Sequence, residues 1–221
     1  MSRRGLGPAL LLPLCFIAAA RSGCSQESGG ARWRMAGGWL AVGPNAPFRT
    51  RLGTKHHDIY VVGLRAERAL LTRGQIELHH TVDVVPLAAS TVTPIRYDDV
   101  SCDITRSNAA QTDCTQWIPH WGTIYGFGLA PAGLEARYTA RPGLQIVAGP
   151  TLGVLYFTRP MPDPTAARLN FSVAGDVGVR IGAWGSRAID LRYRFQHISN
   201  GGTAFNPGMN AHMLQVGLGM W

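Results

Sequence analysis

Polar and apolar residues alternate along most of this chain with a period of two. From Leu169 to Ile181 one face reads Leu169, Phe171, Val173, Gly175, Val177, Val179 and Ile181. The other reads Asn170, Ser172, Ala174, Asp176, Gly178 and Arg180. From Ile189 to Gln196, Ile189, Leu191, Tyr193 and Phe195 oppose Asp190, Arg192, Arg194 and Gln196. Gln75, Glu77, His79, Thr81 and Asp83 likewise oppose Ile76, Leu78, His80, Val82 and Val84. Side chains at i and i+2 share a face of a strand, so each run predicts a strand with one wet and one greasy side.

Eight such segments can be drawn, over about 32–42, 57–69, 74–86, 122–137, 143–158, 167–183, 187–199 and 211–221. The connections between them alternate in length. Those at 43–56, 87–121, 159–166 and 200–210 are long, and those near Leu70–Arg73, Tyr138–Pro142 and Trp184–Ser186 are short. Long external loops alternating with tight periplasmic turns predict an all-β, eight-stranded, antiparallel up-and-down transmembrane barrel. An even strand count puts both ends of the barrel segment, 32–221, in the periplasm. The charges on the wet face (Arg180, Asp190, Arg192, Arg194) suit a small polar lumen. The chain closes on an aromatic, Trp221, though Leu214, Val216, Leu218 and Met220 form the greasy face of the last segment and Trp221 has the opposite parity. A soluble barrel or sandwich, with the apolar face turned inward, is the competing fold.

Composition sharpens this. Of 221 residues, 46% are hydrophobic and 15% charged, yet the longest near-continuous apolar run is Ala9–Ala20. That is short of the roughly 20 residues a spanning helix needs. With Arg3 and Arg4 before it and Ala18-Ala19-Ala20 at its end, it reads as a secretory signal peptide over residues 1–20. Residues 21–31 are Ser/Gly-rich and read as a flexible lead-in. The net charge of +8 calls for acidic partners. No basic patch interleaved with aromatics and no zinc spacing supports nucleic acid, which leaves anionic lipid. Cys15 lies in the signal segment. Cys102 and Cys114, in the largest external loop, can pair in an oxidising compartment. Cys24 lacks the apolar residue three places earlier that a lipoprotein anchor uses.

The candidate chemistry sits at the end of the seventh segment. Extending the greasy parity through Phe195 carries His197 and Ser199 onto the lipid face, their Cα atoms roughly 6.6–7 Å apart. Extending the eighth segment backwards puts His212 and Asn210 on the same face, so the hairpin brings one of them beside His197. An imidazole can take the proton of a serine hydroxyl, and a third group on the far ring nitrogen fixes the tautomer. Asn200 and the backbone N–H groups of Gly201 and Gly202 could cradle an oxyanion. Polar groups facing hydrocarbon are costly, which marks them as functional.

These residues resemble a known family. His197-Ile198-Ser199-Asn200-Gly201-Gly202 followed by Asn206-Pro207-Gly208-Met209-Asn210 is similar to the outer-membrane lipid A 3-O-deacylases, the PagL family, also labelled acyloxyacyl hydrolases. Ile124–Leu134, Gly149-Pro150-Thr151-Leu152-Gly153 and Asn170-Phe171 resemble the same family. The likeness covers most of residues 120–221; residues 32–119 match in architecture alone. It implies an esterase on the outer wall of the barrel, with lipid A in the outer membrane as substrate. His197 would be the base and Ser199 the nucleophile, with Asn200 and the Gly202 backbone as oxyanion hole. The family's acidic third member falls near Asn210. An asparagine there can orient the histidine but supplies no charge, so reduced or lost activity is an expected consequence.

Other motifs are weaker. His56-His57-Asp58 and His79-His80 look like ligand clusters, but neighbours on a strand point to opposite faces, so neither chelates a metal from one strand. No G-x-S-x-G elbow and no phosphate loop is present. The expectation is therefore no metal and no cofactor. Arg49, Arg51 and Lys55 could meet lipid phosphates. Monomer and homodimer are both open. The alternative to an esterase is a non-catalytic small barrel for structure, adhesion or passage of small solutes.

Overall fold

A computed structural model describes residues 32–50, 53–92, 122–162, 166–183, 185–204, 206 and 208–220. Eight strands form one closed, wholly antiparallel barrel in sequence order: β1 (Arg34–Thr50), β2 (Gly53–Arg73), β3 (Ile76–Val92), β4 (Ile124–Arg141), β5 (Leu144–Phe157), β6 (Leu169–Gly182), β7 (Arg187–Ser199) and β8 (Met209–Met220). β8 pairs back onto β1, from Gly37 against Gly219 to Phe48 against Met209, so no sheet edge is left bare. The signal segment, the Ser/Gly lead-in, all four cysteines, Arg51 and Trp221 lie outside the described residues, as do the side chains of Arg49 and Lys55.

The alternation works as expected. Leu169, Phe171, Val173, Val177 and Ile181 on β6 and Leu191, Tyr193 and Phe195 on β7 are exposed on the outer wall. So are Leu214, Val216, Leu218 and Met220 on β8. In water so large an apolar surface would drive aggregation; around a barrel it is the band that meets acyl chains. Asp176, Arg180, Asp190, Arg192 and Arg194 point inward. This orientation excludes the soluble alternative, whose greasy face would be inside.

Two expectations need correcting. The stretch 43–56 is not a long loop: β1 and β2 run on to Thr50 and Gly53, past a bulge between Gly43 and Ala46. Pro44, Asn45 and Pro47 broke the alternation there, and the bulge, with Asn45 at φ 58°, absorbs them. Nor is the lumen polar throughout. Near the external rim it is packed with Phe48, Ile59, Val61, Ile124, Leu155, Phe157, Met161, Ile198, Met209 and Met213. The buried charges form a second layer toward the periplasmic turns. There five guanidinium groups (Arg65, Arg137, Arg180, Arg192, Arg194) face five carboxylates (Glu67, Asp83, Glu135, Asp176, Asp190). The numbers match, so the lumen adds no net charge from these groups and the positive excess lies elsewhere. Two cavities in the wall and lumen hold about 10 Å³ each, room for about one water. Among the described residues both layers are packed, which leaves little room for the passage of small solutes.

Candidate active site

β7 and β8 end where the candidate chemistry lies. The register sets His197 directly opposite Asn210 on β8 and opposite Val173 on β6. Ser199, the last residue of β7, faces Phe171 of β6. All of these side chains share the outer face, so the site is bordered by exposed apolar residues rather than enclosed in a cleft. His197 and Ser199 are half-buried and Asn210 is exposed.

Among the described residues the ring of His197 is held by one hydrogen bond: Nδ1 to Asn210 Oδ1, 2.7 Å. A carboxamide oxygen can only accept, so Nδ1 carries the proton and Nε2 keeps its lone pair. That is the tautomer a general base needs. Of the two partners the sequence left open, Asn210 takes the histidine. His212, paired with Phe195 on β7, is turned away from it: its Nδ1 is joined to the Tyr193 hydroxyl at 2.5 Å and its ring meets Phe195 edge-on. Alternation marked Tyr193 only as a greasy residue; the diagonal approach of its hydroxyl to His212 depends on register, which alternation does not reveal.

Among the described residues no hydrogen bond joins Ser199 to His197. Below the pair, Gly208 adopts φ 59°, and a Cβ there would stand 3.2 Å from His197 Cε1. The glycine lets the backbone of β8's approach pass close under the imidazole.

The loop after Ser199 is tightly tied. The Asn200 side chain is buried and its Oδ1 accepts from the Gly202 N–H at 3.0 Å. The Asn200 N–H donates to Asn206 Oδ1 at 3.1 Å, and the Asn200 carbonyl accepts from the Thr203 hydroxyl at 3.0 Å. Gly201 and Gly202, at φ 65° and 84°, make the left-handed turn these bonds require. The two candidate oxyanion donors thus meet each other: the Gly202 N–H is engaged by the Asn200 carboxamide.

The histidine pairs of the first half stand apart from this site. His57 is buried in the lumen against Ser90 Oγ (2.6 Å), under the Phe48 ring. His79 faces inward to Glu77, while His80 faces outward to the Pro131 carbonyl and Trp33.

A family model described as lipid A 3-O-deacylase (PagL) matches residues 99–219, more than half of the chain. The solved structure of the outer membrane enzyme PagL is similar, with 14% identity and a TM-score of 0.54. That match covers 82% of this chain and 98% of that one. At that identity the likeness bears on the fold. Weaker likenesses are to Neisserial surface protein A (12% identity, 85% and 99% covered, TM-score 0.43) and to Ail, the attachment invasion locus protein of Yersinia pestis (8% identity, 84% and 99% covered, TM-score 0.38). No curated protein matches the chain.

Proposed function

The chain belongs to the lipid A 3-O-deacylase (PagL) family, and from that premise we propose that it is an outer-membrane serine esterase releasing the 3-O-linked acyl chain of lipid A. The observation that carries this is the hydrogen-bonded His197–Asn210 pair beside Ser199, on the lipid-facing wall at the outer end of β7. A substrate dissolved in the membrane reaches such a site sideways, with its ester at the level of Ser199 and its chains against Phe171 and Val173.

In this reading Ser199 Oγ attacks the ester carbonyl while His197 Nε2 takes its proton. The oxygen of the carbonyl becomes an anion. An anion is a stronger acceptor than a neutral carboxamide, so it draws the Gly202 N–H away from Asn200 Oδ1. Collapse expels the sugar hydroxyl, protonated by the imidazolium, and leaves an acyl-serine. Water, deprotonated by the same imidazole, then cleaves that ester and releases the fatty acid.

The test is mass spectrometry of lipid A from cells of a host lacking any such enzyme, with and without this chain. The expected result is lipid A lighter by one 3-hydroxyacyl group, the amide-linked chains intact. Unchanged lipid A favours the non-catalytic barrel; loss of a secondary acyl chain overturns the 3-O assignment.

Asn210 supplies orientation without charge, so the imidazolium formed during attack goes unneutralised. Asn210→Asp keeps the shape and the acceptor at 2.7 Å and adds that charge. It is expected to raise the rate of acyl release about tenfold or more, and Asn210→Glu to raise it less because the longer side chain must repack. Steady-state hydrolysis in detergent micelles measures it; an unchanged or slower Asp variant refutes a rate limited by the missing charge.

A further inference from the structure

We propose that the outer wall of the barrel carries, at its periplasmic margin, a headgroup site for a phospholipid of the inner leaflet, built from Arg68 with Trp33 and His80. Arg68 and His80 are direct partners across β2 and β3. Their neighbours Glu67 and His79 are buried in the lumen, so alternation turns both of these side chains outward. Trp33, just ahead of β1, folds over the pair. The Arg68 guanidinium carbon stands 5.4 Å over its ring, and the His80 ring lies 5.1 Å away, edge-on. One cation and two rings from three segments of the chain converge at one point of the wall.

The cluster is fixed by its surroundings. Arg34, the residue after Trp33, pairs in register with Glu67 and donates from Nε to Glu67 Oε1 at 2.9 Å. This ties down the start of β1 and with it the place where Trp33 lands. His80 Nε2 donates to the Pro131 carbonyl at 3.0 Å. A carbonyl only accepts, so that nitrogen carries its proton. Pro131 itself lies in an irregularity of β4, between Leu129 and Ala132. Half-buried Arg68 is therefore held against a braced tryptophan, unlike the exposed arginines Arg73, Arg141 and Arg187 at the short turns.

Tryptophan gives a guanidinium a favourable π face but no lone pair. Arg68 Nε is buried and, among the described residues, meets no acceptor. The hydrocarbon above offers none. On the same face, the next pairs toward the outside are Ala66 with Val82 and Leu64 with Val84, and Leu64 and Val84 are exposed. The cation thus sits where an apolar wall ends, the level at which tryptophan and arginine meet phospholipid headgroups. A phosphodiester there offers the guanidinium charged oxygen acceptors. Its acyl chains would lie over Ala66 and Leu64, where the alanine leaves the wall shallow. β1 starts at this level and Ser199 lies at the far end of the barrel. The lipid concerned is therefore a glycerophospholipid of the inner leaflet, and the site is separate from the esterase chemistry.

The test is native mass spectrometry of the full-length protein in detergent, titrated with phosphatidylglycerol or with diacylglycerol of the same chains. Phosphatidylglycerol is expected to bind one to one and at least about tenfold more tightly, the size of one charge-assisted hydrogen bond. Arg68→Gln should bring that ratio to about one, and Arg68→Lys should keep part of it. Trp33→Ala changes no charge and lies ahead of the first strand; it should lower the ratio about threefold. Arg187→Gln removes an exposed cation from the same rim and should leave the ratio unchanged. A fall there equal to that of Arg68→Gln would mean general attraction to a basic rim and overturn the site, as would an unchanged ratio in Arg68→Gln. If Arg68→Gln fails to form the barrel, read by heat-modified migration on gels, Trp33→Ala decides alone, and an unchanged ratio in it overturns the proposal. Glycerol 3-phosphate binding as tightly as the whole lipid would overturn a lipid site in favour of a soluble-anion site. Each result stands whether or not the protein hydrolyses lipid A.

Discussion

Alanine at Ser199 is expected to cut acyl release from lipid A by at least about a thousandfold, and alanine at His197 by a similar factor. The double variant should be no worse than either alone, because in the proposed mechanism nucleophile and base act as one unit. The proposed mechanism makes the effect large: without the hydroxyl no acyl-serine would form, and without Nε2 the hydroxyl would stay protonated and weakly nucleophilic near neutral pH. Pleat parity supplies the control. Ser172 lies on β6, one strand away, but points into the lumen, where it accepts from Gln196 Nε2 at 2.9 Å. Ser172→Ala should leave turnover within about twofold while costing about 1 kcal/mol of stability. Heat-modified migration on gels establishes that each variant still forms the barrel. Lipid A deacylated at the wild-type rate by Ser199→Ala would end the serine mechanism, whatever the family.

Much of this was legible in the chain because a two-residue period leaves little freedom once one face is greasy. Leu169 through Ile181 and Ile189 through Ser199 fixed which side of the wall each residue takes, and so placed His197, Ser199 and Asn210 outside. What parity cannot supply is height. It says that Asp190 and Ile198 both point inward, but not that one sits in an ionic layer and the other in an apolar plug. Register belongs to the same class. Whether Asn210 or His212 meets His197 depends on where β8 begins; it begins at Met209, two residues before the point that hydrophobicity alone suggests. Strand ends at the rim were also underestimated, β2 reaching Gly53 and β3 reaching Val92, because His56, His57 and Ala88-Ala89-Ser90 no longer alternate in polarity once the wall leaves the hydrocarbon. Loops carry no period at all, so the bond between Asn200 and Gly202 emerges only from three-dimensional contacts.

The greatest loss of stability is expected at Glu135, in the middle of the lumen. Its Oε2 accepts from Arg65 at 2.7 Å and from Arg192 at 2.6 Å, and its Oε1 from Arg137 at 2.6 Å. All four residues are almost wholly buried. Taking charges out of water is expensive, and the mutual attraction inside the barrel only offsets that cost while the set is complete. Glu135→Ala therefore does not simply delete three contacts. It leaves the lumen layer with five buried cations against four anions and opens a space where water must enter. A penalty of roughly 3–5 kcal/mol follows, the range found when one member of a buried pair is removed. Glu77 is the internal comparison: its side chain is 33% exposed, among the described residues it pairs only with His79, and Glu77→Ala should cost under about 1 kcal/mol. Urea unfolding of the refolded barrel in micelles, followed by tryptophan fluorescence, reads both. Equal midpoints for the two variants would mean that the ion layer is hydrated and interchangeable with solvent. The lumen would then be a wet channel rather than a packed core, and the case against solute passage would fall with it.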